Sequence, residues 1–500
     1  MNVVSGDKAK LIDKYAIETI GIPSIVLMEN AGTNISESIK DKGNKYIIFC
    51  GTGNNGGYGL VVARKLFLIG KDVKVIIIDI NGRRSSDFNI NLNIINNLNI
   101  DVREINKYSD IDESLIYDIQ NSDIVLDAIF GIGLNRKIEG IIYDVIKAIN
   151  TYSKHIISID IPSGIQSDLG KVLGIAVKAS ETYTIENIKI GFLKYSAFEY
   201  LGKVSVIDIG IPKFINEKFS DNIFILNKDK YKKLVPIRKV YGHKGDYGNV
   251  LFIGGSQGFS GAAYIGVEST VRSGAGLVTL LTDSNTQKIL STKLIEAMTI
   301  SFDDRERIKK SINKYNVIAC GPGLGTDDDK YSVLSDFLKN TKTPMVLDAD
   351  ALNIISEHDE LLSFLKYRAV ITPHPGEFSR LSGYSIDEIE ENRIEIAKEY
   401  AIKNKIVVVL KGYNTVITDG NFTVINCTGN SKMASGGMGD CLTGIIASFI
   451  GQGLSIFNAS ILGCYIHGLA GDKASINKYT VSARDIIDIL PKIIEEVSTS

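Results

Sequence analysis

Residues 46–70 read YIIFCGTGNNGGYGLVVARKLFLIG, a β-branched run followed by a glycine-rich stretch and a helical pattern. Glycine lets the backbone turn sharply, and the following helix start offers free N–H groups to a phosphate. A tight strand-to-helix turn also needs glycine, so glycine alone is weak support for a site. The paired Asn54 and Asn55 favour a binding loop, because their amides add ligand or cation contacts. The stretch predicts a strand, a binding loop over 50–59 and a helix from Leu60.

Short β-branched runs alternate with helical patterns along the whole chain, which predicts α/β folding with parallel sheets covered by helices. In such sheets ligands bind beyond the carboxyl ends of the strands. The predicted strands are 46–50, 73–79, 123–128, 156–160, 249–253, 317–320, 345–348, 369–372 and 406–410.

At 500 residues the chain is too long for one core, and no internal repeat is evident. Pro212, Pro236 and the charged run 227–233 place a boundary between 211 and 241. We therefore predict two unrelated α/β domains in tandem, over residues 1–215 and 225–500.

The composition favours a small-molecule partner. A formal net charge of −2 provides no positive field to gather nucleic acid or anionic lipid. Five scattered cysteines without a CxxC motif indicate reduced thiols. No signal peptide is visible, and no apolar run reaches the roughly 18 residues that span a bilayer. We expect a cytoplasmic protein that binds neither nucleic acid nor membrane.

Two further strand ends in the first half carry polar side chains. The segment LDAIFGIG places Asp127 before a glycine loop, and SIDIPSG places Asp160 and Ser163 around a proline. Either acid alone is equally well explained as a cap of the next helix. Together with Asn55, however, Asp127 and Ser163 offer hard oxygen ligands to a cation.

The set NNGG, DAIFGIG and SIDIPSG, in this order, resembles the NAD(P)H-hydrate epimerase domain, which is Rossmann-like, over most of residues 1–215. The resemblance implies that Asn55, Asp127 and Ser163 bind K⁺ and that Asp160 lies against the hydrated nicotinamide ring. The implied substrate-binding residues are Asn54, Asn55, Gly56, Gly57, Tyr58, Gly131, Ile132, Gly133, Leu134, Asn135, Arg136 and Lys137.

Inverting C6 of that ring requires either loss and return of the hydroxyl or opening and closing of the ring, and a carboxylate such as Asp160 can shuttle the proton in both cases. The family loop usually reads NNGGDG, whereas Tyr58 stands at the aspartate position here. The missing carboxylate weakens the expected ribose or substrate contacts, although tyrosine can still form a hydrogen bond.

The most specific segment of the second half is GNSKMASGGMGD, residues 429–440, followed by the apolar run CLTGIIASFIG. Glycines at a helix N-terminus form an anion site from backbone N–H groups. Asp440, in the first turn, stands where a base must lie to take a proton from an attacking hydroxyl. An acid that merely caps the helix explains Asp440 but not the preceding Gly-Gly-Met-Gly. Cys441 opens an apolar helix and is expected to pack in the core.

This segment resembles the phosphate loop of ribokinase-like kinases. Together with YGHKGDYGNVLFIGGS, CGPGLG, TPHPGE and KGYNT, it looks like the ADP- or ATP-dependent NAD(P)H-hydrate dehydratase domain over nearly all of 235–495. The resemblance implies Ala263, Gly323, His374 and Asp440 as contacts of the hydrated nucleotide. It implies the adenine-nucleotide contacts Lys411, Gly412, Tyr413, Asn414, Thr415 and Gly439.

The implied reaction phosphorylates the C6 hydroxyl of the S epimer of NADHX or NADPHX, with Asp440 as base, and then eliminates phosphate. Mg²⁺ is expected on the nucleotide phosphates. Asp348 and Asp350 are candidate ligands, although solvated loop acids explain them equally well. We also expect a homo-oligomer.

Two alternatives remain open from sequence. A vitamin or sugar kinase with an accessory nucleotide-binding domain uses the same Gly-Gly-Met-Gly-Asp loop, but it has no need of NNGG with SIDIPSG. A non-catalytic nucleotide sensor has no need of Asp440 as a base.

Overall fold

The strand at 46–50 is apolar at every position, as expected for a strand covered on both faces. The computed structural model describes residues 1–80 and 82–499. The chain divides into two units, 1–223 and 224–500. The alternation of strands and helices is confirmed, and both units are built on mainly parallel sheets.

The first unit contains a seven-stranded, fully parallel sheet in the order β4-β3-β2-β5-β6-β7-β9. The short strands β1 and β8 pair separately, also in parallel. Its strands are β1 (Asn2–Val4), β2 (Lys45–Cys50), β3 (Asp72–Ile78), β4 (Asp101–Ile105), β5 (Ile124–Ala128), β6 (Ile156–Ile159), β7 (Glu181–Ile185), β8 (Ile188–Lys189) and β9 (Lys203–Ile207), with β10 (Ile223–Phe224) at the division. Its helices are α1 (Gly6–Glu18), α2 (Ser24–Ile39), α3 (Asn54–Leu68), α4 (Ser86–Asn97), α5 (Glu113–Asn121), α6 (Ile141–Tyr152), α7 (Phe198–Leu201) and α8 (Lys213–Lys218).

Alternate residues of β2 enter two different cores, which makes the first unit a three-layer structure. Ile48 and Cys50 pack with α1 to α4 on one face. Ile47 and Phe49 pack with α5 and α6 on the other. Strand order reverses between β2 and β5, so a crevice is expected beyond their carboxyl ends.

The second unit carries strands in the order β13-β12-β11-β14-β15-β16-β17-β18-β19, parallel as far as β17 and antiparallel thereafter. One face packs against α10 and α18 to α20, and the order reverses between β11 and β14. Its strands are β11 (Asn249–Ile253), β12 (Leu277–Thr282), β13 (Met298–Ser301), β14 (Val317–Cys320), β15 (Met345–Leu347), β16 (Ala369–Ile371), β17 (Val407–Leu410), β18 (Thr415–Thr418) and β19 (Thr423–Asn426). Its helices are α9 (Lys228–Lys232), α10 (Ser260–Arg272), α11 (Ser284–Leu290), α12 (Arg305–Ser311), α13 (Asp328–Asn340), α14 (Asp350–Glu357), α15 (Pro375–Ser382), α16 (Ile386–Glu391), α17 (Arg393–Asn404), α18 (Met438–Gly451), α19 (Ile456–Ala474) and α20 (Ala483–Thr499).

Two local predictions are corrected. The glycine-rich segment was predicted as a loop to Gly59, but α3 already begins at Asn54. The predicted strands that ended in Asp79, Asp160, Asp348 and Thr372 each stop one residue earlier, so these polar residues lie just beyond the sheet. The strands β18 and β19 form an antiparallel hairpin after Lys411, and the predicted apolar helix opened by Cys441 is confirmed as the buried α18. Across 1–80 and 82–499, no helix is both long and apolar enough to span a membrane.

Candidate active sites

A cavity of about 570 Å³ lies beyond the carboxyl ends of β2, β5 and β6 in the first unit. It forms where the strand order reverses, which is the usual position of a ligand in an open α/β sheet. Ten of the predicted residues line it: Asn54, Asn55, Tyr58, Gly131, Ile132, Gly133, Leu134, Asn135, Arg136 and Asp160.

Three predicted substrate contacts are not among the residues that line this cavity. A Cβ on Gly56 would lie 1.7 Å from the Gly51 carbonyl oxygen, and one on Gly57 would lie 2.7 Å from Met28 Cε. These glycines therefore allow the first turn of α3 to pack closely. The exposed Lys137 ammonium pairs with Glu139 at 2.9 Å.

The side chains predicted to hold K⁺ converge around the main chain of Phe130. Asn55 Nδ2 donates to the Phe130 carbonyl oxygen at 2.9 Å, and the Phe130 N–H donates to Ser163 Oγ at 2.8 Å. Ser163 Oγ in turn donates to Asp127 Oδ1 at 2.6 Å. Asn55 Oδ1 is buried, and it accepts no hydrogen bond from the part of the chain that the structure describes. Asn55 Oδ1, a buried amide oxygen without a donor, fits the ligand shell of a hard monovalent cation, whereas both oxygens of Asp127 already accept hydrogen bonds.

Asp160 is held in a strained backbone conformation by a buried lysine. Its φ is +66°, in the left-handed region that a non-glycine residue rarely adopts. Lys189 Nζ donates to Asp160 Oδ1 at 2.6 Å, and the Lys189 side chain is 2% exposed. The same ammonium donates to Thr184 Oγ1 and to the carbonyl oxygens of Ile185 and Asn187 at 2.9–3.1 Å. This surrounding structure holds the strained residue in place and fixes the orientation of the Asp160 side chain.

Gly131 leaves open space beside the second oxygen of Asp160. A Cβ there would lie 3.1 Å from Asp160 Oδ2 and 3.5 Å from Asn55 Oδ1. Tyr58, which replaces the usual aspartate, lines the same cavity. Burial, followed by the nearby Asp13 and Asp160, raises the pKa of the Tyr58 hydroxyl, so this side chain remains a neutral hydrogen-bond donor.

In the second unit, Lys411 links the ends of three elements. Its Nζ donates to Asp348 Oδ1 at 2.8 Å and lies 3.9 Å from Glu377 Oε2. Thr443 Oγ1 on α18 donates to the other Asp348 oxygen at 2.9 Å. Asp348 is 1% exposed, so the interpretation of this residue as a solvated loop acid is wrong. Burial opposes its ionisation, but Lys411 and the hydroxyl donors outweigh burial and lower the pKa of Asp348.

Asp440 lies in the first turn of α18, beside this ion pair. The helix begins after Gly437, whose φ of +88° requires glycine. A Cβ on Gly439 would lie 3.1 Å from Lys411 Nζ and 3.4 Å from Asp348 Oδ2. Burial and the charge of Asp348 raise the pKa of Asp440 to about 6, although Lys411 acts in the opposite direction. A carboxylate with a pKa near neutrality is suited to accept a proton from a hydroxyl.

His374 caps α15 rather than standing free between its prolines. Its Nδ1 accepts hydrogen bonds from the N–H groups of Gly376 and Glu377 at 3.0 and 3.3 Å. The His374 side chain remains 52% exposed, so the cap still allows contact with a ligand.

The glycine loop after β14 packs against the loop after β15 and the start of α10. A Cβ on Gly321 would lie 1.7 Å from the Asp348 carbonyl oxygen, and one on Gly323 would lie 2.8 Å from the Phe259 carbonyl oxygen. Gly325 N donates to Asp350 Oδ2 at 2.8 Å. Ala263, on α10, is fully buried, and a Cβ on Gly255 would lie 2.8 Å from its methyl group. Gly323 and Ala263 thus flank the carboxyl ends of β11 and β14.

The predicted adenine-nucleotide segment is divided between two environments. The Lys411 ammonium points to Asp348 and Glu377, whereas the Tyr413 side chain is 54% exposed to solvent. Thr415 Oγ1 donates to the Gly412 carbonyl oxygen at 3.0 Å, which closes the turn. Arg393 on α17 fixes the start of this turn, because its Nη2 donates to the carbonyl oxygens of Leu410 and Lys411.

Comparison with known proteins supports both halves of the resemblance. A family model described as NAD(P)H-hydrate dehydratase matches residues 250–492, and one described as YjeF-related protein N-terminus matches 24–191. The bifunctional NAD(P)H-hydrate repair enzyme Nnr of Moorella thermoacetica is 37% identical, over 100% of this chain and 98% of that protein. The enzyme of the same name from Escherichia coli K12 is 31% identical, over 96% and 92% respectively.

The chain belongs to the bifunctional NAD(P)H-hydrate repair enzyme family. A ribokinase-like superfamily protein from Enterococcus faecalis V583 is 29% identical to this chain, with a TM-score of 0.53, and covers 56% of this chain and 98% of its own. The predicted fold class and the predicted family are thereby confirmed.

Sequence reasoning missed three side chains that contribute to the sites of this repair-family chain. Lys189 and Arg393 hold Asp160 and the start of the Lys411 turn in place, and Asp13 on α1 lines the cavity of the first unit. Little in the sequence around these three residues indicates a role in a site. Lys189 interrupts the apolar run IKIGF, and Arg393 and Asp13 resemble ordinary charged residues of surface helices.

Proposed function

We propose that this chain restores NADH and NADPH from their hydrated forms. The first unit interconverts the R and S epimers, and the second dehydrates the S epimer with ADP or ATP as phosphate donor. One observation carries this conclusion: Asp440, at a glycine-rich helix start, lies beside the Lys411–Asp348 pair in a chain that matches bifunctional repair enzymes over its full length.

In the second unit, Asp440 accepts the proton of the C6 hydroxyl as that oxygen attacks the terminal phosphoryl group of the nucleotide. Lys411 and the N–H groups at the start of α18 neutralise the negative charge on the transferring phosphoryl group. Phosphate then departs from C6 as the ring nitrogen supplies its lone pair. Loss of a proton from C5 restores the dihydronicotinamide ring, so the sum is removal of water.

Mg²⁺ is expected to bind mainly to the nucleotide phosphates. Both carboxylate oxygens of Asp348 are occupied by Lys411 and Thr443. Among residues 1–80 and 82–499, no group of three or more His, Cys, Asp or Glu side chains is arranged to hold a metal ion. Mg²⁺ commonly binds through substrate phosphates, a few carboxylates and water, so a preformed protein site is not required. The ion would neutralise phosphate charge.

In the first unit, Asp160 exchanges a proton with the C6 hydroxyl while Lys189 keeps its side chain oriented. Asn55, Asp127 and Ser163 would hold K⁺ next to the Phe130 carbonyl. The ion would fix the loop that follows Phe130, which supplies six of the predicted lining residues.

The decisive experiment supplies purified chain with the S epimer of NADHX, Mg²⁺ and either ADP or ATP. We expect the dihydronicotinamide absorbance to recover, with AMP or ADP and phosphate formed in equal amounts. Absence of recovery, together with phosphorylation of a vitamin or sugar alcohol, would establish the kinase alternative. Nucleotide binding without either reaction would instead identify a sensor. The homo-oligomeric state stays a prediction, for which the sedimentation coefficient is the direct measurement.

A further inference from the structure

Helix α1 contributes a second carboxyl group to the cavity of the first unit. Asp13 lines this cavity together with Asp160 and Lys189. The helix is fixed in place by Ile12 and Ala16, which are buried in the core. Its N-terminus is anchored by the Ser5 and Gly6 N–H groups, which donate to Asp221 and Asp168 at 3.0 and 2.6 Å. Asp13 is therefore presented to the cavity by a rigid element.

Asp160 and Asp13, two of the three acids that line this cavity, differ in their partners. Asp160 Oδ1 accepts a hydrogen bond from the Lys189 ammonium at 2.6 Å. No hydrogen bond or ion pair engages the Asp13 carboxyl within residues 1–80 and 82–499. Burial, together with the charges of Asp160 and Glu186, raises the pKa of Asp13 to about 6, while Lys189 acts in the opposite direction. A carboxyl held by an ammonium beside a second carboxyl without a partner is a typical arrangement of a general base and a general acid.

We propose that Asp13 is the second catalytic carboxyl of the epimerase site, which protonates the ring nitrogen N1 while Asp160 removes the C6 hydroxyl proton. The inference rests on the proposed epimerase function. The C6–N1 bond breaks as the C6 oxygen forms an aldehyde, and N1 takes the proton of Asp13 with the bonding electron pair. Rotation about the C5–C6 bond then exposes the other carbonyl face.

Ring closure reverses these transfers. N1 attacks the rotated aldehyde and returns its proton to Asp13, and Asp160 returns a proton to the oxygen. Atoms and electrons balance without a co-reactant, as required of an isomerisation. Lys189 has no free direction in which to donate, because four acceptors surround it. It is therefore a positioning residue for Asp160. Glu186, the third carboxyl of the cavity, accepts hydrogen bonds from Asn216 and from the Ile209 N–H, so Asp13 is the carboxyl left to act as the acid.

The test compares full-length Asp13→Asn and Asp13→Glu with Glu18→Gln, a control on the same helix whose side chain is 64% exposed. Purified R epimer is incubated without nucleotide, so that dehydration is silent, and the S epimer is quantified by chromatography. We expect Asp13→Asn to lower the exchange rate at least about 100-fold, toward the spontaneous rate. Dehydration of the S epimer with ADP should be unchanged, and Glu18→Gln should behave as wild type.

A pH profile gives a readout that a merely structural role would not change. Asp13 faces Asp160 beyond β6, Glu186 just after β7, Lys189 at the end of β8, Tyr58 on α3 and Lys10 on its own helix. Because the acid must be protonated, exchange by the wild-type chain should fall as pH rises above about 6. Asp13→Glu should retain part of the epimer exchange, and its rate should fall at a different pH. The residual exchange by Asp13→Asn should not show this fall.

The outcomes separate the two claims. A wild-type chain that does not exchange epimers would refute the proposed epimerase function itself. A wild-type chain that does so while Asp13→Asn keeps full exchange would overturn only the role of Asp13. Loss of exchange together with dehydration, or a fall in rate at the same pH in Asp13→Glu, would likewise assign Asp13 a structural role and overturn the inference.

Discussion

Three acids of the second unit lie around one lysine, and the pKa values of Asp348 and Asp440 are shifted in opposite directions. Lys411 forms a hydrogen bond to Asp348 at 2.8 Å and lies 3.9 Å from Glu377. The pKa of Asp348 is consequently lowered even though it is fully buried, whereas burial and the charge of Asp348 raise the pKa of Asp440. Burial, with the charge of Asp348, thus keeps the pKa of Asp440 close to the neutral range, where a general base is most effective.

Replacing Asp440 separates catalysis from stability. We expect Asp440→Asn to lower the dehydration rate at least about 100-fold while ADP still binds, because only the proton acceptor is removed. The wild-type rate should also fall as pH decreases below about 6, where Asp440 becomes protonated. Steady-state rates between pH 5 and 8 and calorimetric ADP titration provide the measurements.

The stability of this variant supplies an internal check. A carboxyl whose pKa is raised on folding stabilises the folded state only while it is protonated. That contribution is lost as pH rises from the pKa of the unfolded chain, 3.8, through the pKa of the folded chain, about 6. Asp440→Asn should therefore unfold at the same or a higher temperature at pH 7.5. A lower melting temperature would mean that Asp440 serves mainly as a helix cap.

Removal of Lys411 should destabilise the second unit, since it leaves the buried Asp348 carboxylate without its partner. We expect Lys411→Met to lower the free energy of unfolding by about 3 kcal/mol near neutral pH, with Lys366→Met, at an exposed position, as control. The loss should diminish as pH falls, because the buried Asp348 carboxyl of the variant, deprived of Lys411, can then be protonated. Urea unfolding at several pH values measures it, and a loss independent of pH would contradict the ion-pair explanation.

Functional residues that lie within short sequence motifs could be predicted from sequence. Functional residues that are distant in sequence and meet only in the folded chain could not. Asp160 and Asp440 stand in short patterns whose chemistry is local. Asp13 and Lys189 are separated by many residues, and they meet in one cavity only because α1 and β8 both adjoin the carboxyl edge of the sheet. Neither has a local pattern that distinguishes it from an ordinary surface charge.

At the level of single elements, the start of α3 shows why glycine-rich segments are ambiguous. Glycines normally weaken a helix, so the NNGGYG segment was predicted as a loop. The structure instead uses them inside the first turn, where Gly56 and Gly57 allow close packing against the Gly51 carbonyl and Met28. Close packing depends on contacts from outside the segment, and local propensity does not encode it.

The Gly56 position distinguishes close packing from conformational freedom. In an open helix Gly→Ala stabilises, but a Cβ on Gly56 would lie 1.7 Å from a backbone oxygen. Gly56→Ala should therefore lower the free energy of unfolding by about 2 kcal/mol and reduce epimer exchange. Gly53→Ala, where nothing lies within 4 Å of the added atom, is the stability control. Equal urea midpoints for the two variants would contradict the packing argument.

For the whole molecule, sequence predicted the fold class but not the order of the strands. Parallel α/β folding follows from the local alternation of strands and helices. The reversals between β2 and β5 and between β11 and β14 depend on long-range pairing, and the two-residue strand β8 is too brief to produce a distinct pattern. The reversals matter for function, because the predicted site residues gather beyond the ends of these central strands.

Each unit contains its own reversal point and its own acids, so the two activities should be separable by single substitutions in the full chain. Asp160→Asn removes the carboxylate that Lys189 holds, and we expect epimer exchange to fall at least about 100-fold while dehydration of the S epimer proceeds at the wild-type rate. Asp440→Asn should instead lower the rate of dehydration and leave epimer exchange at the wild-type rate. Given R epimer, ADP and Mg²⁺, each variant alone should regenerate NADH slowly, whereas an equimolar mixture should recover the wild-type rate, because the S epimer diffuses between molecules. A mixture that instead fails to reach the wild-type rate, although each variant keeps its one remaining activity, would show that the S epimer passes between the units of one chain.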